Sequence, residues 1–181
     1  MCAFLCLLGA AAVALSAGCG GGDADDVGDE SSPDDSTVEL GTGTTVFEPV
    51  GEESELVLEA GPQGGHHFVL HARISGMAPG DPTQPGLVGN PTTRFSVTAE
   101  DGARLDIGMA PYRLGYELVD GEYVLPSGRI AQVREAAVPS LYGSRVRIDV
   151  QVTDAAGESA MDGRWVIAVE RPAALWSPGP R

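Results

Sequence analysis

The side chains best suited to chemistry cluster in one stretch, Gly61-Pro62-Gln63-Gly64-Gly65-His66-His67-Phe68-Val69-Leu70-His71-Ala72-Arg73, which holds all 3 histidines of the chain. Imidazole is the commonest metal ligand and the side chain whose charge changes most readily near neutral pH. Spacing decides whether these histidines can act together. Gly64 and Gly65 interrupt the chain, and the run from His66 to Ile74 is rich in β-formers, so a strand is expected there. Side chains alternate along a strand, which sends His66 and His67 to opposite faces. His67 and His71 share a face, but at about 3.3 Å per residue they stand roughly 13 Å apart. Zinc holds its ligands at about 2 Å, so no pair in this stretch shares a metal on a regular strand. On a helix His67 and His71 would meet, but the glycine pair and the β-rich run argue against one. A metal site using His67 and His71 therefore needs carboxylates from other strands, and no cofactor is expected. The plainer expectation puts His67 and His71 on the solvated face with Val69 and Arg73. His66 then sits at the mouth of the core, bonded to a nearby backbone group.

Pro62 sets its own φ, while Gly64 and Gly65 admit positive φ or close backbone approach. The result is a fixed turn, and Gln63, Gly64, Gly65 and His66 are its candidate ligand-facing residues. Nucleophilic catalysis needs a Ser or Cys with a base and an orienting group. The chain has no G-x-S-x-G and no H-E-x-x-H, and its cysteines are Cys2, Cys6 and Cys19. No catalytic residue is expected, and the chain reads as a non-enzyme. A carboxylate pair for hydrolysis stays open, because 26 acidic residues are present and nothing singles out two of them. Residues 76–93 form a long loop with Pro79, Pro82, Pro85 and Pro91. Such loops on a rigid scaffold often carry binding, or are tolerated insertions. Tyr112, Tyr116 and Tyr123 are a further candidate, an aromatic platform, although parity with Leu114 and Leu118 turns Tyr112 and Tyr116 toward a core.

The elements that must position these residues are strands. From Thr37 to Arg171 apolar and polar residues alternate in short runs. Leu56 and Leu58 share one face, as do Phe68, Leu70, Ala72 and Ile74, then Phe95, Val97 and Ala99. Leu105, Ile107 and Met109 follow, then Tyr112 to Leu118, the run Val146, Ile148, Val150 and Val152, and last Trp165, Ile167 and Val169. One apolar and one polar face per run predicts antiparallel sheets. Asp101-Gly102, Asp120-Gly121 and Asp162-Gly163 are turn dipeptides, and Asp154 to Gly157 is a longer hairpin loop. Residues 130–138 are the one stretch open to a helix, a strand or short turn being the alternatives. The expected fold is all-β: a single immunoglobulin-like antiparallel β-sandwich over 37–171, with a small barrel as the alternative. Residues 172–181 read as a flexible tail.

Composition narrows the partners. The formal net charge is -15, and the cations are all arginines, scattered singly. Phosphate-backbone binding needs clustered cations, so nucleic acid is excluded as a partner. Residues 1–18 carry no charge and end in small residues before Cys19, which is the pattern of an export signal. A single membrane-spanning anchor is the rival, since the run just reaches the length of a span. Residues 20–36 hold acids, no base and one valine. They cannot bury enough apolar surface to order themselves, so a disordered acidic tether is expected.

Ser16-Ala17-Gly18-Cys19 resembles the lipobox of bacterial lipoproteins. That resemblance implies a lipidated Cys19 as first mature residue, with Gly20 favouring an outer-membrane address. Ser16 stands where the family carries a larger aliphatic residue, and no Lys or Arg precedes the apolar run. The segment Val146 to Val169 resembles the last hairpin of immunoglobulin-like domains. Glu39-Leu40-Gly41-Thr42-Gly43, Phe47-Glu48-Pro49 and Leu56 to His66, with its GPQGG-x-H core, resemble a group of uncharacterised bacterial lipoproteins of myxobacterial type. These resemblances imply a membrane-anchored lipoprotein of the cell envelope, either face of the membrane being open. Its domain is expected to be a monomeric, non-catalytic binding or structural module for a protein or glycan partner. A metal-binding lipoprotein using the histidines is the alternative.

Overall fold

A computed structural model of the chain describes residues 36–61, 64–108 and 110–171. The apolar N-terminal run, Cys19, most of the acidic segment, Pro62, Gln63, Met109 and residues 172–181 lie outside the described residues.

The fold is all-β. In chain order the strands are β1 (Thr37–Thr42), β2 (Glu48–Pro49), β3 (Ser54–Ala60), β4 (His66–Ser75), β5 (Thr92–Ala99) and β6 (Tyr112–Arg113). Then come β7 (Glu117–Val119), β8 (Glu122–Val124), β9 (Arg129–Val133), β10 (Arg145–Thr153) and β11 (Ser159–Glu170). Between β9 and β10 lie a 3₁₀ turn (Glu135–Ala137) and one helical turn, α1 (Val138–Leu141). The stretch 130–138 is thus strand first and helical turn second. Among the described residues no helix is long and apolar enough to cross a membrane.

The longest early strand, β4, is central. Along one edge it pairs with β1 and, at its start, with β3 (Glu59↔His67, Ala60↔His66). Its other edge pairs with β9 and β8. β3 then leaves β4 and runs parallel to β11, from Ser54↔Val166 to Leu58↔Glu170. β11, β10, β5 and β6 follow in order. The result is one curled, mixed sheet. The purely antiparallel arrangement expected from alternation is therefore corrected at the β3–β11 pair. Alternation specifies a buried face but not the direction of the neighbouring strand. Two isolated bridges, Thr98↔Arg104 and Asp106↔Val133, link β5 to β9 through residues 104–106.

Inside the curl sit Leu56 and Leu58, Phe68, Leu70 and Ala72, Val97, and the even-numbered residues Val146 to Val152, all buried. Each such aliphatic contributes about 1.5–3 kcal/mol on burial. The last strand presents Val166 and Ala168 to this core. Trp165 lies instead on the outer face between the guanidinium groups of Arg145 and Arg147, 4.7 and 5.9 Å from its ring centre. The pair Asp162-Gly163 does not turn the chain. It lies inside β11, where the Asp162 carboxylate accepts the Leu40 N–H (2.9 Å) and the Arg147–Asp149 pair packs over Gly163. Leu105 to Gly108 also departs from simple alternation, since Asp106 is buried and Ile107 exposed. The run from Tyr112 to Leu118 is broken at Gly115, which is pressed against the main chain of Asp81 and Pro82.

The proline-rich loop between β4 and β5 is a built structure. Asn90, buried, accepts the Asp81 N–H through Oδ1 (2.7 Å) and donates through Nδ2 to the oxygens of Asp81 (3.1 Å) and Gln84 (2.8 Å). Removing these bonds loosens the loop without touching the core. Asn90→Ala is expected to speed amide exchange at Asp81 and its neighbours by about tenfold or more, one bond of this kind contributing roughly 0.5–1.5 kcal/mol. Exchange unchanged in this loop would show that other contacts hold it.

Candidate functional site

The glycine turn and His66 lie where β3 ends and β4 begins, beside the end of β11 and Tyr142 just after α1. Gly64 and Gly65 take φ of 85° and 82°, a region that costs other residues dearly. Gly61 N–H bonds to Gly65 O (2.9 Å) and Gly64 N–H to Gly61 O (3.1 Å), closing the turn. That turn delivers His66 to the wall of a recess of about 470 Å³ lined by Leu58, Glu59, Ala60, His66, Tyr142, Glu170 and Arg171. Of the candidate ligand-facing residues, His66 thus faces a cavity, Gly64 and Gly65 shape the turn beside it, and Gln63 lies outside the described residues.

The His66 bond runs to a side chain rather than to backbone. Its Nδ1 is 3.1 Å from the Glu135 carboxylate, and its ring meets that of Tyr142 edge-on, centres 6.4 Å apart. Arg171 is ion-paired with Glu59. Burial, then the charges of Glu170 and Glu135, pushes the Tyr142 hydroxyl above its ordinary pKa, so it stays a hydrogen-bond donor at neutral pH. The recess therefore offers carboxylate acceptors, one phenolic donor and one aromatic face. These suit a polar ligand rich in hydroxyl or ammonium donors.

His71 corrects the expectation of a solvated face. Its side chain is 0 % exposed. Phe47, from the β1–β2 loop, covers it, with ring centres 5.6 Å apart at 86°. Gly41, opposite His71 on β1, makes this possible, because a Cβ there would stand 2.3 Å from the Phe47 ring. The His71 Nδ1 accepts the Ala72 N–H (3.1 Å), which leaves the proton on Nε2, buried without a hydrogen-bond partner among the described residues. His67 stays half-buried beside Gly61 at the other end of the same face. Among the described residues no three His, Cys, Asp or Glu side chains converge to hold a metal ion.

The tyrosines are dispersed. Tyr116 is a core residue bonded to Thr93 (2.7 Å), and the Tyr112 hydroxyl donates to Ile130 O (3.1 Å). Tyr123 lines a second cleft of about 540 Å³ at the other end of β4, with Thr37, Glu39, Arg73, Met77 and Glu122. There Arg73 is held between Glu39 and Glu122 and lies 4.8 Å over the Phe47 ring. Its donors are engaged, so this cleft is a closed ion network rather than an open cationic site. Tyr142, Glu170 and Arg171 escaped sequence reasoning. They come from separate elements, and no local pattern ties them to His66. No protein-family model matches the chain, and neither a curated protein nor a solved structure matches it.

Proposed function

We propose that the chain is a lipid-anchored protein of the bacterial envelope, whose domain is a non-catalytic binding module that takes a polar, glycan-like ligand in the His66–Tyr142 recess. One observation carries this reading. The recess lies at the start of β4, while the chain enters the domain at Ser36, which bonds to Gly76 just past the end of β4 (3.1 Å). The ten residues of β4 separate the two by about 30 Å. A tether from Cys19 thus joins the domain at the end opposite the recess and leaves the mouth of the recess free for a ligand. Supporting the lipid anchor are the uncharged run before Cys19 and the acidic segment after it.

Within this reading the domain is an immunoglobulin-like sandwich. What supports it is pairing. β3 is antiparallel to β4 and parallel to the last strand, β9 pairs with β4, and β10 lies between β5 and β11. Immunoglobulin domains likewise divide their strands between an ABED and a CFG sheet.

The test is twofold. Cys19→Ala is expected to move the protein from the membrane fraction to the soluble one. Titration of solubilised envelope glycans into the purified protein is expected to show binding that Tyr142→Ala weakens about tenfold, equal to about 1.4 kcal/mol. Binding equally strong in Tyr142→Ala would remove the recess from the proposal, and a Cys19→Ala protein that stays membrane-bound would remove the lipid.

A further inference from the structure

We propose that the uncharged tip of the β4–β5 loop, Pro85 to Gly89, dips into the surface of the bilayer that carries the lipid anchor. This rests on the anchored reading above and adds an orientation to it.

The tip is apolar and exposed. Val88 is 80 % and Leu87 42 % exposed, on a stretch, residues 82–93, that contains no charged side chain. Solvent exposure of two adjacent aliphatic residues is unremarkable on a mobile loop. Here the loop is rigid. Asn90 ties it to Asp81 and Gln84, and Gly86 N–H bonds to Arg113 O (2.9 Å). Its one acid, Asp81, is turned back on the loop, bonding Thr83 N–H (2.9 Å) and the Gln84 amide (2.5 Å). Arg113, whose carbonyl accepts the Gly86 N–H, is exposed and makes no ion pair among the described residues. An exposed arginine on the strand that pairs with an aliphatic tip is the residue type that meets a lipid phosphate above an acyl boundary.

Position selects the bilayer over a protein groove. The chain enters at Ser36, whose hydroxyl bonds to Gly76 O, the first residue of the same loop. The loop and the tether therefore leave the domain at one end. Residues 19–36 can span at most about 60 Å, and they place no constraint of their own on which face looks at the membrane. A weak contact suffices, because tethering turns it into an intramolecular event at high effective concentration. With the tip seated, the His66–Tyr142 recess at the opposite end points away from the bilayer.

The lipidated protein offers a clean probe. In that form Cys2 and Cys6 have been removed and the Cys19 sulfur is blocked, so Val88→Cys introduces the sole free thiol. It is labelled with an environment-sensitive fluorophore in liposomes of phosphatidylethanolamine and phosphatidylglycerol, with Asp101→Cys, in the turn after β5 at the far end, as the control. Nitroxide-bearing lipid is expected to quench the label at position 88 several-fold more than at 101, with a blue-shifted emission at 88 alone. Equal quenching at the two positions, in protein that floats with the liposomes, would overturn the seating of the tip while leaving the anchor intact. Protein that does not float would overturn the anchored reading, and this proposal with it.

Discussion

Asp106→Ala lowers the thermal midpoint of the domain by roughly 10 °C, the largest loss expected from any single truncation outside the aliphatic core. Asp106 is 2 % exposed and sits where residues 104–107 bridge β5 to β9. Its carboxylate accepts the N–H groups of Val97 (3.1 Å) and Gly108 (2.7 Å) and the Arg104 Nε (2.9 Å). Truncation leaves the buried Val97 N–H unpaired and removes the charge-assisted bond from Arg104, together costing about 3 kcal/mol. The pH dependence has a definite sign. Burial pushes the carboxyl up, but Arg104 and the two N–H groups outweigh it and hold the folded-state value below the ordinary one. The stabilisation is therefore complete above the unfolded-state value near 4 and is lost as the pH falls through the folded-state value. Thermal melts across that acid range check this. The variant is expected to lose the part of the acid destabilisation that Asp106 supplies. An unchanged midpoint would mean that the bridge contributes little to holding the curled sheet.

His71→Leu acts mainly through pH, leaving stability at neutral pH nearly unchanged and raising it in mild acid. Burial pushes the imidazole below its ordinary value. The bond with the Ala72 main chain opposes this, and the Arg129 charge adds to the depression. A histidine that gains its proton less readily when folded stabilises nothing by titrating. Above the unfolded-state value near 6.5 it is neutral in both states, and below that the unfolded chain takes the proton first. Stability is therefore lost progressively as the pH falls from about 6.5. Leucine has similar volume and no polar atom, so it relieves the orphaned Nε2–H but takes the Nδ1 acceptor from the Ala72 N–H; the two roughly offset at neutral pH, and the curve flattens between neutral and mildly acidic pH. Denaturant titrations of both proteins at the two ends of that range check it. A pH dependence as steep in the variant as in the parent would show that His71 does not supply it.

The two ends of the domain divide the proposed tasks. One end receives the tether and carries the rigid loop, and the other carries the recess. A small domain without cysteine after position 19 must hold both ends in register through its core alone. The continuity of β4 from His66 to Ser75 supplies that link, because the strand pairs along both edges and ends in the recess at one side and the loop at the other.

Much of this was legible in the residues because a strand repeats every two positions. Phe68, Leu70, Ala72 and Ile74, and Val146 to Val152, sort themselves onto one face by local chemistry alone, and both rows are buried as read. Asp101-Gly102 and Asp120-Gly121 turn the chain for an equally local reason, since Gly102, Asp120 and Gly121 all take positive φ. Parity says which residues share a face, not what covers it. His71 shares the outer face with Val69 and Arg73, yet it is sealed because Gly41 has no side chain and Phe47 can lie across it. Asp162-Gly163 has turn chemistry, but β10 and β1 supply partners that keep it extended inside β11. The recess exists only where Tyr142, Glu170 and Arg171, from elements far apart in the chain, close around His66. Local alternation and turn residues settled the fold class and its core rows. Contacts between distant segments decided what was buried, what was exposed and where a ligand could sit, because those depend on packing that no window of sequence contains.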